Sequence, residues 1–251
     1  MKKDNRITDI EINLDNADVV VASDVHFPYQ DDKAIDAFIR YVEFKQPKVI
    51  VLNGDILDFY KLSRFSKDPA GKNPAEEIEM CREFLKNVRK TAPNSDIYYV
   101  IGNHETRLEK YVLDNAPQIA CLVDNVFEII KVDREDMCVK GCASLTVNDT
   151  FVFKHGTRLG NKSGLSAIKE LEAHYLSGAT GHTHRLARFS TRKSGRRFIW
   201  LETGCLCDLN PEYMVNADWE QGFAHIKFKK GKLYHAKVVQ VNNGAILEWR
   251  I

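Results

Sequence analysis

No long apolar run occurs in the 251-residue sequence. The longest runs, residues 19–22 and 49–52, are far shorter than the ~20 residues that a membrane-spanning helix needs. Residues 1–18 are polar and charged, and they lack the apolar centre of a secretory signal. We therefore expect a cytoplasmic protein with no membrane association.

An excess of charge of either sign is also missing, because 36 lysines and arginines nearly balance 35 aspartates and glutamates. The net charge of +1 argues against a protein whose main role is to coat nucleic acid. Internal repeats, low-complexity tracts and Gly/Ser/Pro linkers are absent, so we expect one domain over residues 1–251. No sequence feature indicates an oligomeric state.

The six cysteines lack the C-x₂-C spacing of common zinc sites. The two close pairs are Cys138/Cys142 and Cys205/Cys207. We expect these four to be buried, reduced, small apolar residues. A redox or zinc role is the less favoured alternative.

Strand and helix patterns alternate in the first half of the chain. Apolar runs at residues 18–23, 48–53 and 96–101 predict buried strands, whereas helical spacing of apolar residues predicts helices at 31–44, 74–88 and 105–115. In the second half, Asn148-Asp149, Ser194-Gly195 and Lys230-Gly231 separate apolar runs and predict three hairpins. Residues 162–175 predict one further helix. This order predicts an α/β sandwich, in which helices cover a two-layer sheet core.

Five short clusters of metal-ligand residues lie at or just after the predicted strands. They are D-V-H at 24–26, G-D-I-L-D at 54–58, G-N-H-E at 102–105, H-G at 155–156 and G-H-T-H at 181–184. Each cluster alone is a weak signal, since a lone His is usually a surface or satisfied core residue. Their joint occurrence at strand ends predicts a site for two divalent metals, which would activate water and bind a phosphoryl group.

Residue spacing within the clusters supports this interpretation. Asp24 and His26 are two apart at a strand end, so both side chains could bind one ion. His182 and His184 could bind one ion together or one ion each. Asn103 offers a neutral oxygen, which holds a cation without adding charge that would repel a phosphate.

The order of these motifs resembles the calcineurin-like metallophosphoesterase superfamily. The resemblance implies a β-sandwich flanked by helices, in four α/β/β/α layers. It also implies ligands for two ions: Asp24, His26 and His184 for the first, Asn103, His155 and His182 for the second, and Asp55 bridging both. His104 would be the general acid beside a metal-bridging hydroxide, and Asp58 would orient a neighbouring group such as His104. The resemblance favours Mn²⁺, with Fe, Zn²⁺ or Ni²⁺ as alternatives.

Three arginines are candidates for substrate binding. Arg64 lies in an aromatic and basic stretch, residues 59–65, which suits a loop that stacks a base and contacts phosphate. Packing of these aromatics onto the domain is an equal alternative. Arg107 could reach a phosphate, although pairing with an acid such as Asp58 is slightly favoured. Arg158 follows His155 closely and is expected to line the site.

A basic cluster over residues 185–197 has two interpretations, a solvated hairpin face or a rim that attracts DNA or RNA. We favour a phosphodiesterase acting on nucleic acid or a nucleotide. A phosphomonoesterase acting on a phosphoprotein or small metabolite is the alternative. A non-catalytic interaction module ranks last, because every motif position is filled.

Overall fold

The computed structural model describes residues 6–63, 73–210 and 217–247. The strands are β1 Ile10–Ile12, β2 Ala17–Ala22, β3 Val49–Leu52, β4 Asp96–Val100, β5 Val139–Cys142, β6 Leu145–Val147, β7 Phe151–Phe153, β8 Ser177–Thr180, β9 Leu186–Lys193, β10 Arg196–Thr203, β11 Gly222–Lys229, β12 Lys232–Asn242 and β13 Ala245–Leu247. The α-helices are α1 Asp32–Lys45, α2 Pro74–Thr91, α3 Arg107–Asn115, α4 Val126–Ile130 and α5 Leu165–His174.

Two mixed sheets form the centre of the molecule. The larger has the strand order β13-β12-β11-β2-β3-β4-β5, and β2 to β5 run parallel. All four residues of β3 are buried, as expected for a central parallel strand covered on both faces. The smaller sheet has the order β1-β6-β7-β8-β10-β9.

Apolar side chains fill three interfaces. Val21, Phe153, Leu201 and Phe228 belong to the core between the two sheets. The outer face of the larger sheet packs against α1 and α2 through residues such as Phe38 and Leu85, whereas α5 packs on Trp200 of the smaller sheet. The resulting four layers confirm the predicted α/β sandwich.

Local sequence signals set the helix starts and the hairpins. Asp31 caps α1 by accepting from two backbone N–H groups, and Asn73 with Glu76 forms a capping box at α2. The three predicted hairpins are present between β6 and β7, β9 and β10, and β11 and β12. Both residues of each turn have positive φ, the conformation expected for two-residue hairpin turns.

Several elements differ from the prediction. The third helix begins at Arg107 rather than at residue 105, and α5 begins at Leu165 rather than at residue 162. The sequence pattern did not predict β1, β5, β13 and α4, each of three to five residues and too short to show a clear period. Cys138 is exposed rather than buried, because it lies with φ 51° in the turn before β5.

Strand direction brings the predicted ligand clusters together. The clusters follow the carboxyl ends of β2, β3, β4, β7 and β8. Backbone hydrogen bonds join the first two, since the N–H of Asp24 donates to Gly54 and that of His26 donates to Asp55. None of the helices within residues 6–63, 73–210 and 217–247 is both long and apolar enough to traverse a bilayer.

Candidate metal centre

Five of the predicted ligands have left-handed backbone conformations. The φ angles are 55° at Asp24, 54° at His26, 52° at Asp55, 69° at His182 and 56° at His184. For a residue with a Cβ this conformation costs roughly 1–2 kcal/mol. Such residues concentrate at functional sites, where the surrounding structure enforces the strain.

The first group joins Asp24, His26 and His184. His184 Nε2 lies 3.1 Å from His26 Nε2 and 3.2 Å from Asp24 Oδ1. All three side chains are buried. Two imidazole nitrogens at this distance, next to a carboxylate oxygen, require a proton or a cation between them, so the arrangement fits a metal ion.

The second group joins Asp55, His155 and His182, with Asn103 beside them. His155 Nε2 lies 3.0 Å from Asp55 Oδ2 and 3.1 Å from Asn103 Oδ1. The His155 and His182 rings are 5.1 Å apart between centroids. Nitrogen, carboxylate and amide oxygen donors suit a divalent metal of the first transition row.

Asp55 lies between the two groups. Its Oδ2 is 3.0 Å from His155 Nε2 in the second group and 4.0 Å from His26 Nε2 in the first. Gly102 is required next to it, because a Cβ at that position would collide with the Asp55 carboxylate and backbone N. The geometry is compatible with a bridging ligand, and the bridging role itself stays a prediction.

The pKa values show how strongly the carboxylates attract positive charge. Burial alone would lower the pKa of His155, but the charge and hydrogen bond of Asp55 raise it to about 9. At His26 burial also lowers the pKa, but the hydrogen bonds to Asp24 and Asp58 outweigh it and raise the pKa well above its usual value. Protons on these imidazoles therefore occupy the positions that a divalent ion would take, and metal binding would release them.

Hydrogen bonds on the opposite ring nitrogens orient the histidines. His26 Nδ1 lies 3.0 Å from Asp58 Oδ2, and His155 Nδ1 lies 2.9 Å from the carbonyl oxygen of Asn53. An Nδ1–H donated to these acceptors directs Nε2 at the centre, and release of the Nε2 proton on metal binding would give the usual arrangement around a ligating histidine.

Glu105 has a role that the sequence did not reveal. This carboxylate is 1% exposed and accepts hydrogen bonds from the backbone N–H groups of Asp55, Ile56, Leu57 and Gly102, at 2.8–3.1 Å. It also accepts from the Tyr99 hydroxyl at 2.7 Å. Its place in the G-N-H-E motif was the one available signal.

Two further buried glutamates hold the other ligand loops. Glu170 Oε1 accepts from the backbone N–H groups of Thr157 and Arg158, just after His155. Glu202 accepts from Ala167 N–H and from the Thr183 hydroxyl, between the two histidines of the last motif. These contacts join residues distant in sequence, so no local pattern could have predicted them.

His104 lies beside both groups. Its Nε2 is 3.7 Å from Asp55 Oδ2, and its Nδ1 is 3.0 Å from the backbone oxygen and 3.3 Å from Oδ2 of Asp58. Arg107 Nη1 donates to the same Asp58, at 2.8 Å to the backbone oxygen and 3.1 Å to Oδ1. Arg107 thus makes the acid pair that the sequence favoured, and its contact with substrate stays a prediction.

The remaining basic candidates are not seen in contact with the predicted ligands within the described residues. Arg64 falls outside the described residues. Arg158 is exposed, so its approach to a substrate stays a prediction. Arg185 follows the last motif but is held by Asp218 at 2.8 Å and by the Gly160 carbonyl at 2.9 Å.

The rest of the basic cluster follows the β9–β10 hairpin away from the ligands. Arg192 lies directly opposite Arg197, and Lys193 directly opposite Arg196. All four side chains are exposed, and no carboxylate in the described part of the chain forms an ion pair with them. They form the hairpin's distal end, not a rim around the centre.

Comparison with known proteins gives a family match and two phage relatives. Residues 17–203 match the model of the calcineurin-like phosphoesterases. The chain is 27% identical to the Gene 54 protein of Mycobacterium phage L5 over 222 residues, covering 82% of this chain and 87% of that protein. For the Gene 54 protein of Mycobacterium phage D29 the identity is again 27%, over 223 residues, covering 82% and 86%.

Solved structures with a similar fold share little sequence identity with this chain. Vacuolar Protein Sorting 29 from Cryptosporidium parvum aligns with a TM-score of 0.50 and 18% identity, covering 93% of this chain and 96% of that one. At this identity the likeness concerns the fold alone, so function has to be argued from the site itself.

Proposed function

The chain belongs to the calcineurin-like phosphoesterase family, and from this premise we propose that it hydrolyses phosphate esters at a centre of two divalent ions. The observation that carries the proposal is the position of Asp55 Oδ2, within 4.0 Å of Nε2 atoms of His26, His104 and His155. When bound, two such ions supply an activated water and neutralise phosphoryl oxygens.

We assign His104 the role of general acid. Its side chain is 15% exposed, more than those of His26 and His155, so it can meet a leaving oxygen that enters from solvent. Asp58 receives the Nδ1–H and holds the ring, which leaves Nε2 to carry the transferred proton.

Arg107 completes this arrangement. Its Nη2 lies 3.0 Å from His104 Nε2, so a proton on that nitrogen would face the guanidinium N–H. When His104 Nε2 is protonated for acid catalysis, the Arg107 Nη2–H must therefore turn away from it. A phosphoryl oxygen of the substrate could then accept a hydrogen bond from this N–H. Pairing with Asp58 and binding of substrate phosphate are then compatible roles for one residue.

We propose a phosphodiester, and a polynucleotide in particular, as the substrate. Strand β9 begins at Leu186, just after the last ligand cluster, and Arg192 lies six residues farther along it. At ~3.3 Å per residue, Arg192 is about 20 Å from the start of the strand. In a DNA duplex the charges of one strand follow one another every ~3.4 Å along the helix axis, so about six base pairs would reach from the centre to the hairpin end. A substrate that contacts both the metal centre and the end of the hairpin must span this distance, as a polynucleotide does.

Cation repulsion within the hairpin supports this choice. Arg188, Arg192 and Arg197 lie on one face, and burial together with the charge of Arg197 lowers the pKa of Arg188. Like charges placed opposite one another destabilise a sheet. A bound polyanion would offset that cost.

A phosphomonoester is the second candidate. The observation in its favour is that Arg185 and Arg188, the cluster members nearest the centre, donate within the fold to Asp218, Gly160 and Ala236. A small substrate would depend on the residues around His104 alone.

Initial rates on a chromogenic phosphodiester and a matched phosphomonoester test the proposal, with Mn²⁺ added first and Zn²⁺, Fe²⁺ and Ni²⁺ as alternatives. Faster diester cleavage that is abolished in Asp55→Ala supports it. Faster monoester cleavage selects the second candidate. Absence of turnover on both esters and on DNA and RNA, with two ions bound, would contradict the enzymatic role.

A further inference from the structure

We propose that Cys205, Cys207 and His184 form a separate binding site for a thiophilic divalent cation such as Zn²⁺ or Cd²⁺. His184 would contribute Nδ1 to this site while its Nε2 faces the phosphoesterase centre. The site would thus share one histidine with that centre and take a softer metal.

The distances fit a tetrahedral ion. One ligand atom from each of the three residues lies within 4.8 Å of the other two, and Cys207 Sγ is 3.8 Å from His184 Nδ1. Around zinc, bonds of ~2.3 Å to sulfur and ~2.0 Å to nitrogen place those two atoms about 3.5 Å apart. The Cys207–His184 pair is therefore within a few tenths of an ångström of its coordination distance, and the two pairs that include Cys205 lie within about 1.3 Å of theirs.

Backbone contacts place the two thiols behind His184. Cys205 and Cys207 flank a bend at Leu206, and their sulfur atoms lie within 4.8 Å of each other. Cys205 forms a β-bridge with Gln221 and Cys207 one with Gln30, while the intervening Leu206 N–H donates to the Asp24 carbonyl. The same segment thus holds both the thiols and the backbone of a predicted ligand.

The donor set differs from that of the phosphoesterase centre. Two sulfurs and one nitrogen favour soft cations, whereas the carboxylates and imidazoles on the other side of His184 suit harder ones. Both thiols are buried and His184 closes the third side, so the cation would be shielded from solvent. Binding converts two thiols to thiolates and releases two protons to water. The divalent cation and the two thiolates then carry no net charge together.

Sharing of His184 couples the two sites. A neutral imidazole with a cation on Nδ1 carries its proton on Nε2, so His184 can ligate the first metal group only after that third proton is also released to water. Trp219 packs against the same ring at 4.1 Å between centroids, which limits the freedom of His184 to satisfy both ions. We expect excess Cd²⁺ to weaken Mn²⁺ binding at the centre.

Cobalt substitution tests the proposal without relying on catalysis. Co²⁺ is titrated into the metal-free protein, and the near-ultraviolet thiolate-to-cobalt charge-transfer band is recorded. The band is expected in the wild type and in the controls Cys121→Ser and Cys138→Ser, whose thiols are exposed. It should be absent in Cys205→Ala and Cys207→Ala, with folding verified by circular dichroism.

A missing band in the wild type would overturn the proposal, as would a band that persists in Cys205→Ala and Cys207→Ala or disappears in Cys121→Ser and Cys138→Ser. If both alanine variants unfold, Cd²⁺ counted per wild-type chain before and after selective thiol alkylation decides instead. Loss of one bound Cd²⁺ on alkylation supports the site, and unchanged stoichiometry refutes it. None of these readouts requires the chain to hydrolyse a phosphate ester.

Discussion

Glu105 Oε2 accepts a hydrogen bond at 2.9 Å from the backbone N–H of Asp55. The contact joins a buried carboxylate to the residue that lies between the two metal groups. The same carboxylate holds the next two N–H groups of the chain, so it fixes the whole turn that carries Asp55. Metal binding should therefore depend on a residue that is not itself a predicted ligand.

We expect Glu105→Gln to lower metal affinity by roughly 10–100-fold, the usual effect of removing a group that orients a ligand. An amide has one acceptor oxygen, and its NH₂ would face the N–H groups of Asp55 and Gly102 or of Ile56 and Leu57. Each donor left unsatisfied costs about 1–3 kcal/mol of stability. Calorimetric Mn²⁺ titration and thermal unfolding measure the two effects.

The matched control for this change is Glu109→Gln, on the exposed side of α3. It should leave Mn²⁺ affinity unchanged and lower stability by at most ~1 kcal/mol, because Glu109 lies in the first turn of α3. Equal Mn²⁺ affinity in the Glu105 and Glu109 variants would show that the carboxylate does not support the ligand turn.

The His104→Ala variant should retain both ions, and its turnover should fall by roughly 10²–10⁴, the usual contribution of a general acid. The reason is positional, because His104 is held by Asp58 and lies 3.7 Å from Asp55 Oδ2. Bound metal counted by mass spectrometry and initial rates on the diester separate the two effects. Asp55→Ala is the comparison and should lose metal together with activity. Loss of metal in His104→Ala would instead make His104 a ligand.

Sequence alone predicted the placement of the first three ligand clusters, because each follows a strand with a nearly continuous apolar run. Val49 to Leu52, for example, indicate a buried parallel strand, and the glycine and aspartate that follow must lie at its carboxyl end. Turn chemistry predicted the hairpins equally well, since Asn148-Asp149 accepts positive φ.

Long-range polar contacts could not be predicted in this way. The bond of Glu202 to Thr183 and that of Arg185 to Asp218 depend on how distant segments pack, and their residue types are common on surfaces. Cys207 illustrates the same limit. Its burial followed from its type, whereas its position beside His184 followed only from the fold.

Stability should depend on pH through Glu77, a buried residue of α2. Burial raises the pKa of Glu77 to about 8, even though its Oε2 accepts a hydrogen bond from the Phe59 N–H at 2.6 Å. Within the described residues its Oε1 has no hydrogen-bond partner. Because the folded pKa is raised above the unfolded 4.5, the stabilisation from Glu77 is complete below pH 4.5 and is lost as the pH rises through about 8.

Glu77→Gln should therefore raise the free energy of unfolding at pH 9, by on the order of a few kcal/mol at ~1.4 kcal/mol per pKa unit. At pH 4.5 it should change little, since the wild-type group is then protonated. Urea unfolding at the two pH values measures this difference. Glu79→Gln, exposed on the same helix, is the control. A gain of equal size at both pH values would exclude ionisation of Glu77 as the cause.

Arg192→Ser separates a polynucleotide role of the hairpin from a purely structural one. The change removes one of two cations that lie directly opposite each other, so the free protein should gain about 0.2–1 kcal/mol of stability. Affinity for a single-stranded oligonucleotide should fall, and the slope of log K against log salt should decrease by ~0.7 for each phosphate that the protein no longer neutralises. Turnover of a small chromogenic diester should not change, because Arg192 lies about 20 Å from the strand edge that carries the ligands.

The control for this change is Arg134→Ser, which removes another exposed cation, one that is paired with Asp136 at 2.9 Å. It should leave oligonucleotide affinity and its salt slope unaltered. A decrease in affinity of the same size in both variants would reflect a general reduction of positive charge, and the hairpin would then have no specific role. If Arg192→Ser is more stable but binds the oligonucleotide with unchanged affinity, the repulsion between Arg192 and Arg197 is not offset by a bound polynucleotide. The smaller phosphomonoester would then be the better candidate substrate, because it would need only the residues around His104.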